Sequence, residues 1–144
     1  MTEGPILQLV YVSSASRGFG DDDLSDILHA SRRNNAAAGV TGALLHADGN
    51  FIQVLEGPPD AVEAVYARVA SDARHVGALV LLRQRVARRT FGDWSMGLLR
   101  LRDLPEEDRP DALLLGDYAA DSPDRTRRLL ASFGRSMSGR AAAV

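Results

Sequence analysis

Ser31 to Pro58 reads SRRNNAAAGVTGALLHADGNFIQVLEGP, and the reading of this stretch decides the fold. Two apolar runs, VTGALLH and FIQVLEG, flank Ala47-Asp48-Gly49-Asn50. Asp-Gly followed by Asn supplies residues that tolerate positive φ, so the two runs are expected to form a tight β-hairpin. Side chains alternate along a strand, which sends Phe51, Gln53 and Leu55 to one face and Ile52, Val54 and Glu56 to the other. Gln53 thus falls between a Phe and a Leu on the face that looks buried. A buried amide left unpaired costs about 1–3 kcal/mol, so Gln53 should have a polar partner there.

The residues feeding the hairpin repeat the pattern. Leu24, Ile27 and Leu28 form an apolar stripe, and at about 100° per residue Ser31 and Asn35 fall on the same stripe, with Asn34 on its flank. Helix and strand each aim amides at a shared interior. Either these are structural amides closing a helix end, or something polar and flat that is not part of the chain lies between them.

Length and composition bound the rest. At 144 residues the chain is expected to form one domain with a short C-terminal appendix, large enough for a real core. The formal charge is −2, with both signs interspersed, which gives no electrostatic reason for nucleic acid as a partner. Cysteine is absent, which excludes disulfides, thiolate nucleophiles and thiolate-bound metals. No apolar run approaches the ~20 residues that span a bilayer. The start, MTEGP, lacks the basic and apolar regions of a signal peptide, so a soluble cytoplasmic protein is expected.

Taken in order, Ile6 to Ser13 is a strand whose faces are Leu7, Leu9, Tyr11, Ser13 and Ile6, Gln8, Val10, Val12. Tyr11 puts a polar tip on a mostly apolar row; a core tyrosine with its hydroxyl at the edge would account for it. Asp21-Asp22-Asp23 opens the first helix, where carboxylates complement the dipole and cap free N–H groups. That helix is expected to end near Asn35. After the hairpin and Gly57-Pro58-Pro59, a second helix runs to about Ser71 with the stripe Val62, Val65, Tyr66, Val69. Asp72-Ala73-Arg74-His75 closes it. A strand from Ala78 to Ala87 and a short one from Trp94 to Leu99 follow, with Trp94, Met96 and Leu98 on one face. The order β-α-β-β-α-β-β predicts an α+β fold: a ferredoxin-like core plus a fifth strand, with two helices on one face of a mixed sheet.

The texture changes after Leu101. Pro105 and Pro110 punctuate an acidic segment, and Ser122-Pro123 reads as the start of a helix whose apolar side is Leu129, Leu130 and Phe133. Residues 103–144 are therefore expected to form a helical extension of a 1–102 domain rather than a domain of their own. The sheet face carrying Ile6, Val10 and Val12 has no core helix to cover it. It is expected to be covered by this extension, by another subunit, or by both, which predicts at least a dimer.

The motifs LVYVS, SRRNN with VTGALL, DGNFIQVLEGP, DARH and FGDWSMG, in this order from about Ile6 to Leu101, together resemble the BLUF family, blue-light sensors that use FAD. Each motif is weak alone; their conjunction is specific, and it contains the polar residues that the strand and helix patterns left unexplained. The resemblance implies a flavin ring held without covalent attachment between the two helices above the sheet. FMN or riboflavin are possible substitutes for FAD. It implies that Tyr11 and Gln53 are the photoactive pair, that Asn35 bonds the pyrimidine side of the ring, and that Asn34 lines its pocket. Ser31, Arg32, Asp72, Arg74 and His75 would lie at the flavin edge or along its ribityl and phosphate chain. Trp94 and Met96 match the family's Trp-x-Met element, which is tied to signalling. The implied chemistry is electron and proton transfer from Tyr11, followed by rotation or tautomerisation of Gln53, which can both donate and accept.

The leading expectation is a short photoreceptor, not an enzyme, that signals through a protein partner or its own oligomer. The alternatives are a light-insensitive flavin-binding module and a small flavin-dependent oxidoreductase. Against the oxidoreductase stand the missing nicotinamide-type glycine fingerprint and the lack of a nucleophile–base pair.

Overall fold

A computed structural model describes residues 4–15, 18, 20–47, 50–72, 75–92, 95–99 and 131, and for Ala15, Asp21, Ala47 and His75 only the backbone. Seven elements follow one another: β1 (Ile6–Ala15), α1 (Asp21–Ala38), β2 (Thr41–Ala47), β3 (Asn50–Gly57), α2 (Pro59–Ala70), β4 (His75–Val86) and β5 (Gly97–Leu99). They build one sheet in the order β4-β1-β3-β2-β5. All pairs are antiparallel except β2 with β5, which is parallel, so the sheet is mixed. This is the expected ferredoxin-like core with its added strand.

The local reasons are visible in the chain. At the start of α1 the Asp23 carboxylate accepts a hydrogen bond from the Gly20 N–H at 2.9 Å, as the acidic run predicted. The helix continues three residues past Asn35, to Ala38, because the alanines there favour it. Gly39 then ends it with φ 71°, and Val40 N–H bonds back to the Asn35 carbonyl at 2.9 Å. Pro59 occupies the first turn of α2, where its missing N–H costs nothing.

Two strand boundaries differ from expectation. Strand β4 begins at His75 rather than Ala78, since Gly77 (φ 65°) lets the pairing with β1 shift register and resume instead of breaking. Strand β5 begins at Gly97 rather than Trp94. The carbonyls of Ser95 and Met96 accept hydrogen bonds from Asn35 and Arg32 of α1 (both 2.9 Å), so Met96 lies in the approach to the strand and not within it.

Both sheet faces are buried. On the helix side, Leu24, Leu28, Val62 and Val65 close over Leu9, Tyr11, Leu44, Phe51, Leu55 and Met96. On the far side, Val10, Val12, Leu45, Ile52, Val54 and Leu99 pack with Phe91. Ile6, Val10 and Val12 are buried in the single chain, so a second subunit is not needed to cover them. Leu129, Leu130 and Phe133 lie outside the described residues, as does the whole extension but for Ala131.

The far side also holds a charged group. Glu56 is fully buried, and its carboxylate accepts from the Gln8 side chain (2.8 Å), the Thr90 N–H (2.9 Å) and the Phe91 N–H (2.7 Å). Gln84 in turn donates to Gln8 at 2.7 Å. Three donors satisfy a carboxylate that would otherwise be very costly to bury.

Sheet geometry leaves little room between β2 and β3. A Cβ at Gly42 would overlap the backbone carbonyl of Val54, which cannot swing aside as a side chain could. Gly42→Ala should destabilise the fold by about 3 kcal/mol, the upper range for overpacking a core. Chemical denaturation of the two proteins checks this.

Candidate functional site

Tyr11 on β1 and Gln53 on β3 are direct cross-strand partners. Residues so paired hold their Cβ atoms about 4.5–5.5 Å apart, so the two polar groups anticipated on separate strands meet at one spot on the helix-side face. Both are buried, Tyr11 at 0% and Gln53 at 3% exposure. The Gln53 amide nitrogen donates to the Met96 sulfur at 3.3 Å, and thioether sulfur is a weak acceptor. The Tyr11 hydroxyl is buried and finds no hydrogen-bond partner among the described residues. Its ring meets Tyr66 of α2 edge-on, with centroids 5.1 Å apart.

Burial pushes the Tyr11 phenol well above its ordinary value, and the neighbouring Tyr66 adds to this. Tyr11 is therefore a neutral phenol that keeps its proton until it is oxidised.

A cavity of about 230 Å³ opens between α1 and α2. Ile27 and Ala30 from α1 and Val65 and Val69 from α2 give it apolar walls; Ser31, Asn34, Asn35, Arg68 and Asp72 give it polar ones. Asn35 is 1% exposed, and its amide nitrogen is occupied by the Ser95 carbonyl, which leaves its oxygen to accept. This donor set fits a flavin. Aliphatic walls suit the faces of a planar ring, amides suit its polar edge, and the buried Tyr11 hydroxyl on the sheet, without a partner among the described residues, can take a further polar contact.

Of the residues singled out from the sequence, Ser31, Asn34, Asn35 and Asp72 line the cavity, while Tyr11 and Gln53 lie on the sheet and not among its lining residues. Arg32 is not among the lining residues; its Nε donates to the Met96 carbonyl at 2.9 Å and so holds the approach to β5. Met96 is wholly buried against Gln53. Arg74, Trp94 and the side chain of His75 lie outside the described residues.

Sequence reasoning missed the cavity's Ile27, Ala30, Val65, Val69 and Arg68. The helical stripes contained Ile27, Val65 and Val69, but periodicity shows only that a residue faces inward, not what it touches. Arg68 is exposed and carried no signal at all. Tyr66, which shared that stripe, packs on Tyr11, and Arg83 lies 6.0 Å over its ring while paired with Glu63 at 2.7 Å.

A cleft between two helices, next to a sheet that carries a neutral tyrosine and a glutamine as cross-strand partners, suits a flat polar ring in a core that also holds a redox-active phenol. Residues 6–97 match the family described as "BLUF: Sensors of blue-light using FAD". The chain belongs to the BLUF family; it is a blue-light sensor that binds a flavin. The photoactivated adenylate cyclase subunit beta of Euglena gracilis is 38% identical over 89 residues, which cover 61% of this chain and 10% of that protein. This chain thus spans about a tenth of the length of the curated relatives it matches first. Among solved structures, the dark state of BlrB, a BLUF protein, has a TM-score of 0.76 at 28% identity and covers 92% of this chain and 97% of its own. Klebsiella pneumoniae BlrP1 with FMN and cyclic diGMP has a TM-score of 0.68 at 31% identity, covering 90% of this chain and 34% of its own.

Two outcomes follow from the geometry. The raised Tyr11 pKa means that the unfolded chain gives up this proton first as pH rises. Its stabilising contribution is complete below about pH 10 and is lost above it. Denaturation midpoints from about pH 9 to about pH 11 should fall less steeply for Tyr11→Phe than for the parent. Separately, Asn35→Ala should weaken flavin binding by about 1–3 kcal/mol, through loss of an acceptor in a water-poor site. Fluorescence titration with FAD measures it, and an unaltered dissociation constant would leave Asn35 only its structural bond to Ser95.

Proposed function

We propose that this chain is a cytoplasmic photoreceptor, and not an enzyme, that holds FAD without a covalent bond and reports blue light through Tyr11 and Gln53. FMN is an alternative occupant, since the BlrP1 structure carries it. The observation that supports the pair is their direct pairing, with a hydroxyl that has no partner among the described residues and an amide whose nitrogen donates to the Met96 sulfur.

When bound, the flavin supplies an absorber whose excited state is a strong one-electron oxidant. Tyr11 is a buried donor on the helix-side face of the sheet and, being neutral, must release a proton with its electron. Gln53, the cross-strand partner of Tyr11, can accept at its oxygen while donating from its nitrogen. When the electron and proton return, the amide need not recover its first arrangement. The weak bond to the Met96 sulfur is the one it can exchange at least cost. The lit state is then a chain with Gln53 turned or tautomerised and Met96 released. The signal passes to a protein partner or to another copy of the chain.

A light-minus-dark absorption spectrum of the parent and two variants tests this. Gln53→Leu keeps bulk and Tyr11→Phe removes only a hydroxyl, so both should bind flavin and lack the parent's reversible red shift. A normal red shift in Gln53→Leu would contradict the mechanism. A parent that binds flavin but shows no shift would be a light-insensitive module.

A further inference from the structure

Strand order dictates an unusual path for the segment joining β4 to β5. These strands are the two edges of the sheet, so residues 87–96 must travel from one edge to the other. Four strand spacings are about 19 Å, well within the reach of this stretch. The segment goes by the far face, where Phe91 is buried among Val10, Val12, Ile52 and Val54. Its end then comes up on the helix side, where Met96 is buried with Tyr11 and Phe51.

Strand β3 grips this segment twice. On the helix side, Gln53 donates to the Met96 sulfur at 3.3 Å. On the far side, the Glu56 carboxylate accepts the Thr90 and Phe91 N–H groups at 2.9 and 2.7 Å, while Arg89 bonds the Glu56 carbonyl (3.2 Å) and the Thr41 hydroxyl (3.0 Å). Gln53 and Glu56 are three residues apart, hence on opposite faces of the strand. The two grips differ in strength. An amide on a thioether is weak, whereas a buried carboxylate on two backbone N–H groups is charge-assisted and strong. Gln8, fixed by Gln84, completes the carboxylate's hydrogen bonding from behind.

We infer that Glu56 is a positioning residue for signalling, a fixed root from which only residues 95–99 are displaced when Gln53 rearranges. This deepens the proposed photochemistry and rests on it. When the Gln53 bond to Met96 is exchanged, the far-side root stays put, so the displacement cannot run back into residues 89–91. It goes forward to the three residues of β5, which are hydrogen-bonded into the sheet along β2 alone. Without the root, the same release would be taken up by the whole segment, and β5 would receive little of it. The sensing chemistry and the direction of its output are thus assigned to two residues of one strand.

Amide hydrogen exchange of the flavin-loaded full chain, in darkness and under continuous blue light, tests the assignment, with an absorption spectrum of the same samples. In the parent, light should speed exchange at residues 97–99 at least fivefold and leave Thr90 and Phe91 within twofold of their dark rates. Glu56→Gln keeps the volume but sets an amide N–H₂ against backbone donors. It should retain the red shift, lose at least tenfold protection at Thr90 and Phe91, and show less than half the light-induced change at 97–99. Light-induced exchange spread evenly over residues 89–99 of the parent would overturn the inference, a result that does not depend on the variant folding. A Glu56→Gln protein with the parent's exchange pattern would overturn it equally. A parent without any red shift overturns the proposed function along with it, whereas a normal shift with the wrong exchange pattern overturns the positioning role alone.

Discussion

A glutamine amide and a phenol side by side in an apolar layer are the constraint on which this structure depends. Gln53 and Tyr11 sit on paired strands beneath two helices, where an unsatisfied polar group costs about 1–3 kcal/mol. A sequence selected for stability alone would put leucines there. The chain instead leaves the hydroxyl without a described partner and gives the amide a sulfur. Such a floor is made whole by a ring with its own donors and acceptors, and the cavity between α1 and α2 has the walls to hold one.

The second organising feature is the path from β4 to β5. It ties the cavity to the far face through bonds that belong to neither layer alone: Asn35 and Arg32 to the Ser95 and Met96 carbonyls at one end, Glu56 to Thr90 and Phe91 at the other. These bonds also shorten β5, since carbonyls given to a helix are not available to the sheet. A function that depends on rearranging one amide thus sits beside backbone whose hydrogen bonds are partly made by side chains. Such bonds can be exchanged singly, whereas a strand ladder opens cooperatively.

Much of this was legible in the sequence, and the reasons are specific. Period-two alternation placed Gln53 among Phe51 and Leu55, and helical periodicity placed Asn35 on the stripe of Leu24 and Leu28; both are buried where those patterns put them. Neighbouring strands could not be read from either pattern, because pairing is a property of topology, and only the structure joins Tyr11 to Gln53. The start of β5 was misplaced because the residues that capture its approach, Arg32 and Asn35, are some sixty positions away. Arg32, expected near the flavin edge, also donates to the Met96 carbonyl, a contact no sequence pattern indicated. Glu56 was assigned to the correct face but not to its partners, which lie in a loop without periodicity. The far face was expected to be covered by the C-terminal extension, by another subunit or by both; its residues are buried in a single chain, with Phe91, which no pattern marked, among them.

The central claim is that light changes the hydrogen bonds of one glutamine. The most direct measurement is a light-minus-dark infrared difference spectrum of flavin-loaded protein, with and without isotopic labelling of the glutamine side-chain amides. The chain has three glutamines, Gln8, Gln53 and Gln84, and subtraction of a Gln53→Leu sample isolates the response of the one at this site. The account predicts label-sensitive amide bands in the parent's difference spectrum that vanish in the Gln53→Leu sample. A parent spectrum with a normal flavin response and no label-sensitive band would contradict it.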